Sequence, residues 1–158
     1  MKLFEILNTN VDVVWNSDGH MHRGSFKLDS DDVYTIQLDE YEVLDKTLVD
    51  FGFTKNGDIT AVNSKVSSAK IIGAVLNGAL PKITSLNPDV IMIAVMKSSG
   101  MVDSRKSLYS TVVTWFKKRS AFNAETDWVE NDHGFFKLVS KVKLTDLEIE
   151  TFVSQVKK

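Results

Sequence analysis

The sequence predicts one α+β domain with a mixed, mostly antiparallel seven-stranded sheet and flanking helices. Three observations predict this class. Apolar and polar residues alternate with period two in the first third, an apolar stripe of helical period starts at Ile71, and Val90–Met96 is a continuous apolar run. The 158 residues match the length of one domain, covering 1–158. We expect the order four strands, helix, strand, helix, two strands, helix.

The first 28 residues predict a short helix at 3–7 and then a hairpin. Val11–Trp15 is rich in β-branched and aromatic residues, and Asn16–Gly19 carries an Asp-Gly turn signal. The second strand resumes after this turn and continues through Leu28. Short turns favour antiparallel pairing, so these strands begin a meander.

Two further strands complete the meander. Residues 33–40 alternate, with Tyr34, Ile36 and Leu38 on one face, which is typical of a half-buried antiparallel strand. Residues 47–54 repeat the pattern, and Lys55–Asp58 ends it with turn residues.

The middle of the chain predicts a helix followed by a buried strand. Ser67 or Ser68 is the expected N-cap, Pro81 is expected to kink or restart the helix, and Asn87–Asp89 ends it. The apolar run Val90–Met96 predicts a strand buried on both faces, hence central in the sheet and able to pair in parallel.

The last third predicts a helix capped by Asp103 or Ser104, a strand pair at 122–128 and 135–142, and a terminal helix. Thr145 and Glu148 form the capping box of that last helix, because each side chain can accept the other's backbone N–H. An edge strand within 122–142 leaves a homodimer open as an interpretation.

Composition excludes several kinds of chemistry. The chain has no cysteine, which rules out disulfides, thiolate metal sites and a cysteine nucleophile. No apolar stretch approaches the ~20 residues that cross a bilayer, and the N-terminal residues carry no apolar core of a signal peptide. The sequence therefore predicts a cytoplasmic protein with no membrane partner.

Charge is unevenly distributed although the formal net charge is only −2. Residues 29–58 hold nine acids and two lysines, whereas residues 97–119 hold six bases and one acid. This split predicts either two solvated faces or two binding surfaces of opposite sign.

One resemblance rests on the order of elements and a short motif. The second helix and the residues after it contain Arg105-Lys106-Ser107-Leu108-Tyr109, Trp115-Phe116 and Ala121-Phe122. This segment is similar to the Leu-Tyr … Gly-Phe ending of the corresponding helix in GNAT acetyltransferases, and the element order over about 30–142 resembles their core. The resemblance implies acyl-CoA binding at the N-terminus of the first long helix and a tyrosine general acid at Tyr109.

The chain also resembles small uncharacterised proteins of tailed bacteriophages. The shared features are Phe51-Gly52-Phe53, Ser67-Ser68-Ala69, Pro88-Asp89-Val90-Ile91 and the Arg105–Tyr109 segment. This resemblance implies a phage protein made in the cytoplasm of the host cell.

The cofactor motif of the GNAT family is degenerate in this chain. By resemblance, the pyrophosphate would contact Lys65, Ser67, Ser68 and Ala69. The family uses Gln/Arg-x-x-Gly-x-Gly/Ala at this place, but Asn63–Lys70 has no glycine, and Lys70 lies near the position of the last small residue. The region is equally explained as a serine-capped helix start. We therefore expect no cofactor, and acetyl-CoA only for an active enzyme.

Other candidate site residues are basic or histidine. Arg105 and Lys106 lie at a helix start, where a cation opposes the helix dipole, so an anion, a buried carboxylate or a partner is expected there. Simple surface exposure of Arg105, with its stem packed down, is the alternative. Residues 105–119, with Trp115 and Phe122 for stacking, are a less favoured nucleic-acid edge, because the chain is acidic overall. His20 and His22 share a strand face but supply too few ligands for zinc, so no metal is expected.

These observations favour a phage accessory protein on a degenerate GNAT-like scaffold. It would bind a protein or nucleoprotein of the infected host, or of the phage, without catalysis. Two alternatives remain: an active acyl-CoA-dependent N-acetyltransferase that uses Tyr109, and a structural component of the virion. Asp39 and Asp50 are the candidate general bases of the enzyme alternative.

Overall fold

A computed structural model describes residues 11–28, 31–56, 68–99 and 102–156. Its strands are β1 (Val14–Asp18), β2 (Met21–Lys27), β3 (Val33–Val43), β4 (Lys46–Lys55), β5 (Val90–Met96), β6 (Ala124–Glu125), β7 (Val129–Glu130) and β8 (Gly134–Ser140). Its α-helices are α1 (Ser68–Leu86), α2 (Val102–Arg119) and α3 (Asp146–Val156), and a 3₁₀ turn covers Lys97–Ser99. The helix expected at residues 3–7 lies outside the described residues.

The strands form one mixed sheet in the order β1-β2-β3-β4-β5-β8-β6, and β7 also pairs with β8. β4 and β5 are parallel over Leu48–Phe51 and Val90–Ile93. The pairs β1–β2, β2–β3, β5–β8, β6–β8 and β7–β8 are antiparallel. The predicted α+β class with a mixed, mostly antiparallel sheet is confirmed, whereas the predicted count of seven strands is wrong.

The eighth strand arises from a bulge. Glu125 pairs with Val139 and Val129 pairs with Phe136, so three residues on one strand face two on the other. The extra residue interrupts the ladder, so two short strands, β6 and β7, replace the single strand expected at 122–128, and β7 lies beyond residue 128. The Thr126 hydroxyl accepts a hydrogen bond from the Leu138 N–H (3.1 Å), and the Thr126 N–H donates to the Leu138 carbonyl (3.0 Å).

The buried strand and the terminal helix occur where the sequence predicts them. β5 lies between β4 and β8, and its apolar residues are buried on both faces as far as Ile93. At α3, the Glu148 carboxylate accepts from the Thr145 N–H (3.0 Å), and the Thr145 hydroxyl accepts from the Glu148 N–H (3.2 Å). This reciprocal pair is the predicted capping box.

The structure differs from the local predictions at three places. β1 begins at Val14 rather than Val11, because residues 11–13 precede the ladder that starts with Val14 opposite Ser25. α1 continues through Pro81 as one helix, which excludes the predicted restart, while the alternative of a kink at Pro81 stays a prediction. His20 lies in the turn after β1, so it does not share a strand face with His22.

The chain divides into two compact units, each described here by itself: an N-terminal unit (Met1–Asp39 with Gly52–Asn87) and a C-terminal unit (Glu40–Phe51 with Pro88–Lys158). In the N-terminal unit, Val13 packs where two glycines leave space. A Cβ at Gly78 of α1 would lie 2.7 Å from Val13 Cγ2, and one at Gly24 of β2 would lie 2.7 Å from Val13 Cγ1. Both glycines therefore permit the close approach of Val13.

The core of the C-terminal unit lies on one side of β5 and β8. Buried residues of both strands pack there against Phe152 and Val153 of α3. On the other side, Phe51 of β4 contacts Phe116 of α2 edge-to-face, with ring centroids 5.9 Å apart. The alternation of side chains along β8 thus directs Phe136 and Leu138 towards α3 and directs Phe135 and Lys137 to the opposite face.

Candidate functional site

A polar group on β4 and α2 contains the tyrosine that the GNAT resemblance singles out. Tyr109 is buried, with 6% of its surface exposed. Burial raises the pKa of Tyr109 to about 12, while the nearby Arg105 guanidinium lowers it and the Asp50 carboxylate raises it further. The hydroxyl is therefore protonated at neutral pH.

Arg105 lies one helical turn before Tyr109 on α2. Its Nε is buried and has no hydrogen-bond partner within the described part of the chain. Asp39, the other candidate general base, instead forms an ion pair with Arg23 at 2.6 Å. Of the two candidate bases, Asp50 thus acts on Tyr109 through its charge, which raises the pKa of that hydroxyl, and Asp39 is engaged with Arg23.

The residues assigned to acyl-CoA by resemblance lie at the start of α1 and in the segment before it. Lys65 and Ser67 lie outside the described residues. Ser68 and Ala69 form the first residues of α1, where the backbone is described but the side chains are not. The cofactor assignment accordingly stays a prediction.

An open cleft lies in the C-terminal unit. It has a volume of about 530 Å³ and lies between α3 and the β6–β7 strand pieces. Its floor is apolar, formed by Val129, Leu144, Ile149 and Val153. Leu144 and Val153 belong to the core of the C-terminal unit, and Val129 and Ile149 pack against it. The floor of the cleft is therefore the part of this core that borders the cleft.

The rim of this cleft is strongly acidic. Its charged residues are Glu125, Asp127, Glu130, Asp146 and Glu150, against the single Lys143. Two of the acids are engaged: Glu125 pairs with Lys117 (2.9 Å), and Glu130 pairs with Lys97 (2.7 Å). The composition of the rim predicts an attraction for cations.

The remaining acids of the rim are Asp146, Asp127 and Glu150, and only Asp146 has a structural role. Asp146 lies in the first turn of α3, where a carboxylate is favoured by the helix dipole. Asp127 and Glu150 are exposed and form no ion pair with any described residue. These two carboxylates are the ones most directly available to a ligand.

The basic residues predicted as a partner surface lie mostly on α2. Lys106 contacts the aromatic rings of Trp128 and Phe135, whereas the Nε of Arg105 is buried and the charge of Arg105 acts on Tyr109. Trp115 and Phe122 are only 3% and 5% exposed, so the prediction that they stack on bases is wrong. Both rings are core residues, because apolar positions of α2 and of the segment after it face the sheet.

The histidine pair does not form a metal site. His22 is buried, and its Nδ1 lies 2.6 Å from the Ser17 hydroxyl. Among the residues that the structure describes, no group of three or more potential ligands is arranged to hold a metal ion.

Comparison with known proteins gives no match. No protein-family model matches the chain, and no curated protein or solved structure is significantly similar to it. None of the helices within the described ranges combines the length and apolar character that a membrane-crossing helix needs. The function must therefore be inferred from surfaces and side chains.

Sequence reasoning missed both the cleft and two half-buried rings, Trp128 and Phe135. The cleft forms where α3 packs against β6 and β7, which lie about one hairpin earlier in the chain. Patterns of neighbouring residues do not predict such a contact. The two rings do have a local signal in the sequence. A charged residue follows each ring two positions later, Glu130 after Trp128 and Lys137 after Phe135. Such alternation indicates a strand face that is partly open to solvent.

Proposed function

We propose that this protein is a non-catalytic binding protein whose cleft receives a basic, partly apolar segment of a partner protein. The observation that carries this proposal is the combination of an acidic rim and an apolar floor in one open cleft of about 530 Å³. Concave sites with an apolar lining and a few convergent charges are typical of ligand recognition.

The chemistry of the cleft defines the partner. Lysine or arginine side chains would pair with Asp127 and Glu150, which have no other ion pair among the described residues. Apolar side chains of the same segment would contact Val129 and Ile149, the half-buried residues of the floor. Charge complementarity of this kind sets specificity and speeds association.

The wider biological setting is part of the proposal on resemblance alone. A GNAT-like scaffold and a tailed-phage source would place the protein in the cytoplasm of an infected host, with a host or phage macromolecule as partner. The missing glycines between Asn63 and Lys70 support binding without catalysis, because close approach of a pyrophosphate favours glycine.

The test is a binding titration with short labelled peptides. A peptide that alternates lysine or arginine with leucine should raise its fluorescence anisotropy on binding, and an acidic peptide of the same length should not. The variant that combines Asp127→Asn and Glu150→Gln should bind the basic peptide at least tenfold more weakly, because two charge-assisted contacts are lost.

A matched control comes from the same hairpin. Asp132 is an exposed acid that does not line the cleft, so Asp132→Asn should bind as the wild type does. Amide shifts in NMR spectra should concentrate at Val129, Ile149 and Glu150 when the peptide is added. Equal affinity of the double variant and the wild type, or shifts confined to other residues, would refute the cleft as the binding site.

Acyl transfer from acyl-CoA is the second candidate function. It rests on the GNAT resemblance and on the place of Tyr109, which is buried on α2 one helical turn after Arg105. A protonated tyrosine can donate a proton to a leaving thiolate, and a neighbouring carboxylate can accept one from an amine.

Thermal melting distinguishes the two functions. Acetyl-CoA at 100 times its dissociation constant should stabilise a protein that binds acetyl-CoA by ~2.7 kcal/mol. An enzyme would show this shift and would lose turnover in Tyr109→Phe while keeping the shift. An unchanged melting temperature at millimolar acetyl-CoA would exclude the enzyme function and leave the peptide-binding proposal standing.

A further inference from the structure

We infer that a second surface of the C-terminal unit binds single-stranded nucleic acid. This lysine–aromatic surface consists of Lys97, Lys106, Lys137, Trp128 and Phe135, on the face of β8 that points away from the cleft and α3. None of these five residues lines the cleft, but two acids of the cleft lining, Glu125 and Glu130, pair with lysines of this surface, so the two sites meet at these acids.

Cations and rings alternate across this surface. Lys97 Nζ lies 5.6 Å from the centroid of Phe135, and Lys106 Nζ lies 4.4 Å from the same centroid. Lys106 Nζ is also 5.7 Å from the centroid of Trp128, which Lys137 Nζ approaches to 5.4 Å. Both rings are half-buried, so part of each remains open to solvent.

The charge of this surface is positive although the whole chain is acidic. Lys97 and Lys137 form ion pairs with Glu130 and Glu125, and Glu125 also pairs with Lys117. Lys106 forms no ion pair with any described carboxylate and contacts the two rings instead. The three lysines of this surface, together with Lys117 beside it, therefore face two glutamates, which leaves positive charge for an anionic ligand.

Single-stranded nucleic acid fits this arrangement better than other polyanions. Ammonium groups can pair with phosphates, while the rings offer stacking platforms for unpaired bases. Lys97, whose side chain is 39% exposed, can move from the ring of Phe135 to a phosphate when a base takes its place, because a cation–π contact at an exposed site is weak. The side chain of Lys137 is only 12% exposed and stays paired with Glu125. A duplex keeps its bases stacked inside and would gain only the phosphate contacts.

The experiment is a titration of fluorescein-labelled oligothymidylate of about 12 nucleotides, a length within the range that small single-strand sites cover. We expect fluorescence anisotropy to report binding that weakens as salt is raised from about 50 to about 200 mM. Binding should also quench tryptophan emission, because Trp128 would stack on a base. An abasic oligomer of equal length serves as the probe for phosphate contacts alone.

Four variants are expected to change the affinity for the oligonucleotide in different directions. Lys106→Gln should lower the salt slope by about 0.7, the value for one phosphate contact. Trp128→Leu should weaken oligothymidylate binding about tenfold and leave binding of the abasic oligomer unchanged. Glu125→Gln should tighten binding, since it removes a competing anion. Lys143→Gln, on the cleft side, is the matched control and should bind as the wild type does.

Each variant is first checked for an unchanged circular dichroism spectrum, and Lys97→Gln replaces any that fails to fold. Equal binding of the abasic and thymidylate oligomers, or a loss with Lys143→Gln as large as with Lys106→Gln, would overturn the inference in favour of diffuse attraction to polyanions. Absence of binding at about 50 mM salt would overturn it outright. Peptide binding by the cleft is measured separately, so failure of one proposal does not decide the other.

Discussion

The two sides of β8 show how one strand supports two surfaces of opposite character. Phe135 and Lys137 lie on a side where lysines cover aromatic rings, whereas Phe136 and Leu138 lie in the core that ends in an acidic cleft. Period-two alternation alone separates them, because neighbouring side chains of a strand point to opposite faces. A single residue of register shift would therefore exchange the two surfaces.

The two sides also differ in how their charges are compensated. Lys117 and Lys137 hold Glu125 on the lysine-rich side, and these contacts lower its pKa although burial alone would raise it. In the cleft, Asp127 and Glu150 have no such partner among the described residues. The difference indicates that the lysine-rich side is partly preorganised and that the cleft attracts ligand mainly by charge.

The largest expected effect comes from Gly134→Ala, which should damage both sides at once. A Cβ at Gly134 would lie 2.5 Å from the Val95 carbonyl oxygen, a backbone atom that cannot move without disturbing β5. We expect a loss of about 2–3 kcal/mol in the free energy of unfolding, measured by urea denaturation. Gly52→Ala is the control, because a Cβ there would meet only a side-chain atom at 4.0 Å. Equal stability of the two variants would contradict this account.

Thr126→Val should loosen the bulge with a smaller effect. The substitution keeps the shape of the side chain but removes the acceptor of the Leu138 N–H bond (3.1 Å). An unpaired N–H beside a buried strand should cost about 1–3 kcal/mol in thermal or urea unfolding. Thr111→Val on the exposed face of α2 should change stability by less than about 0.5 kcal/mol. A neutral Thr126→Val would show that the bulge is held by other contacts.

Thr145→Ala separates the two sides, because it acts on α3 and the cleft only. It removes the N-cap hydroxyl that accepts from the Glu148 N–H, at an expected cost of about 1 kcal/mol. Basic-peptide binding should weaken, while oligothymidylate binding should be unchanged. Thr151→Ala, further along the exposed side of α3, should leave both affinities as they are. A parallel loss of both affinities would show that the two surfaces are coupled.

The smallest expected effect is a pH dependence carried by Glu148. The hydrogen bond from Lys46, with that from Thr145, lowers the pKa of Glu148 below its ordinary value of 4.5. A lowered pKa stabilises the fold above the unfolded value near 4.5, and this contribution disappears as the pH falls through the folded value. Glu148→Gln should thus be less stable than the wild type at pH 7, by under about 1 kcal/mol, and the difference should shrink in acid. A difference that grows in acid would reverse the sign assigned here.

Local patterns in the sequence predicted the elements whose cause is local. The apolar run Val90–Met96 predicted the central strand, and Thr145 with Glu148 predicted the start of the last helix. Asn87 ends α1 as expected of a residue that tolerates the left-handed region, with φ of 50°. In each case the residues that determine the structure lie within a few positions of it.

Features that depend on distant residues could not be predicted in this way. The β3–β4 turn has positive φ at Leu44 (51°) and Asp45 (61°), and leucine rarely adopts that conformation, so the sequence carried no turn signal there. The bulge at Thr126 exists only relative to β8. The acidic cleft requires α3 to lie against the β6–β7 pieces, and the environment of Tyr109 requires Asp50 from another element.

The bulge between β6 and β7 has a consequence for how the protein behaves when it is made in quantity. Unpaired strand edges invite other chains to add to the sheet, and short, interrupted edges resist this. Each piece on this side of β8 holds two residues, with Thr126–Trp128 breaking the row of free N–H and C=O groups. Deleting Asp127 would restore an even register and create one longer edge, and we expect that variant to aggregate at concentrations where the natural chain stays in solution.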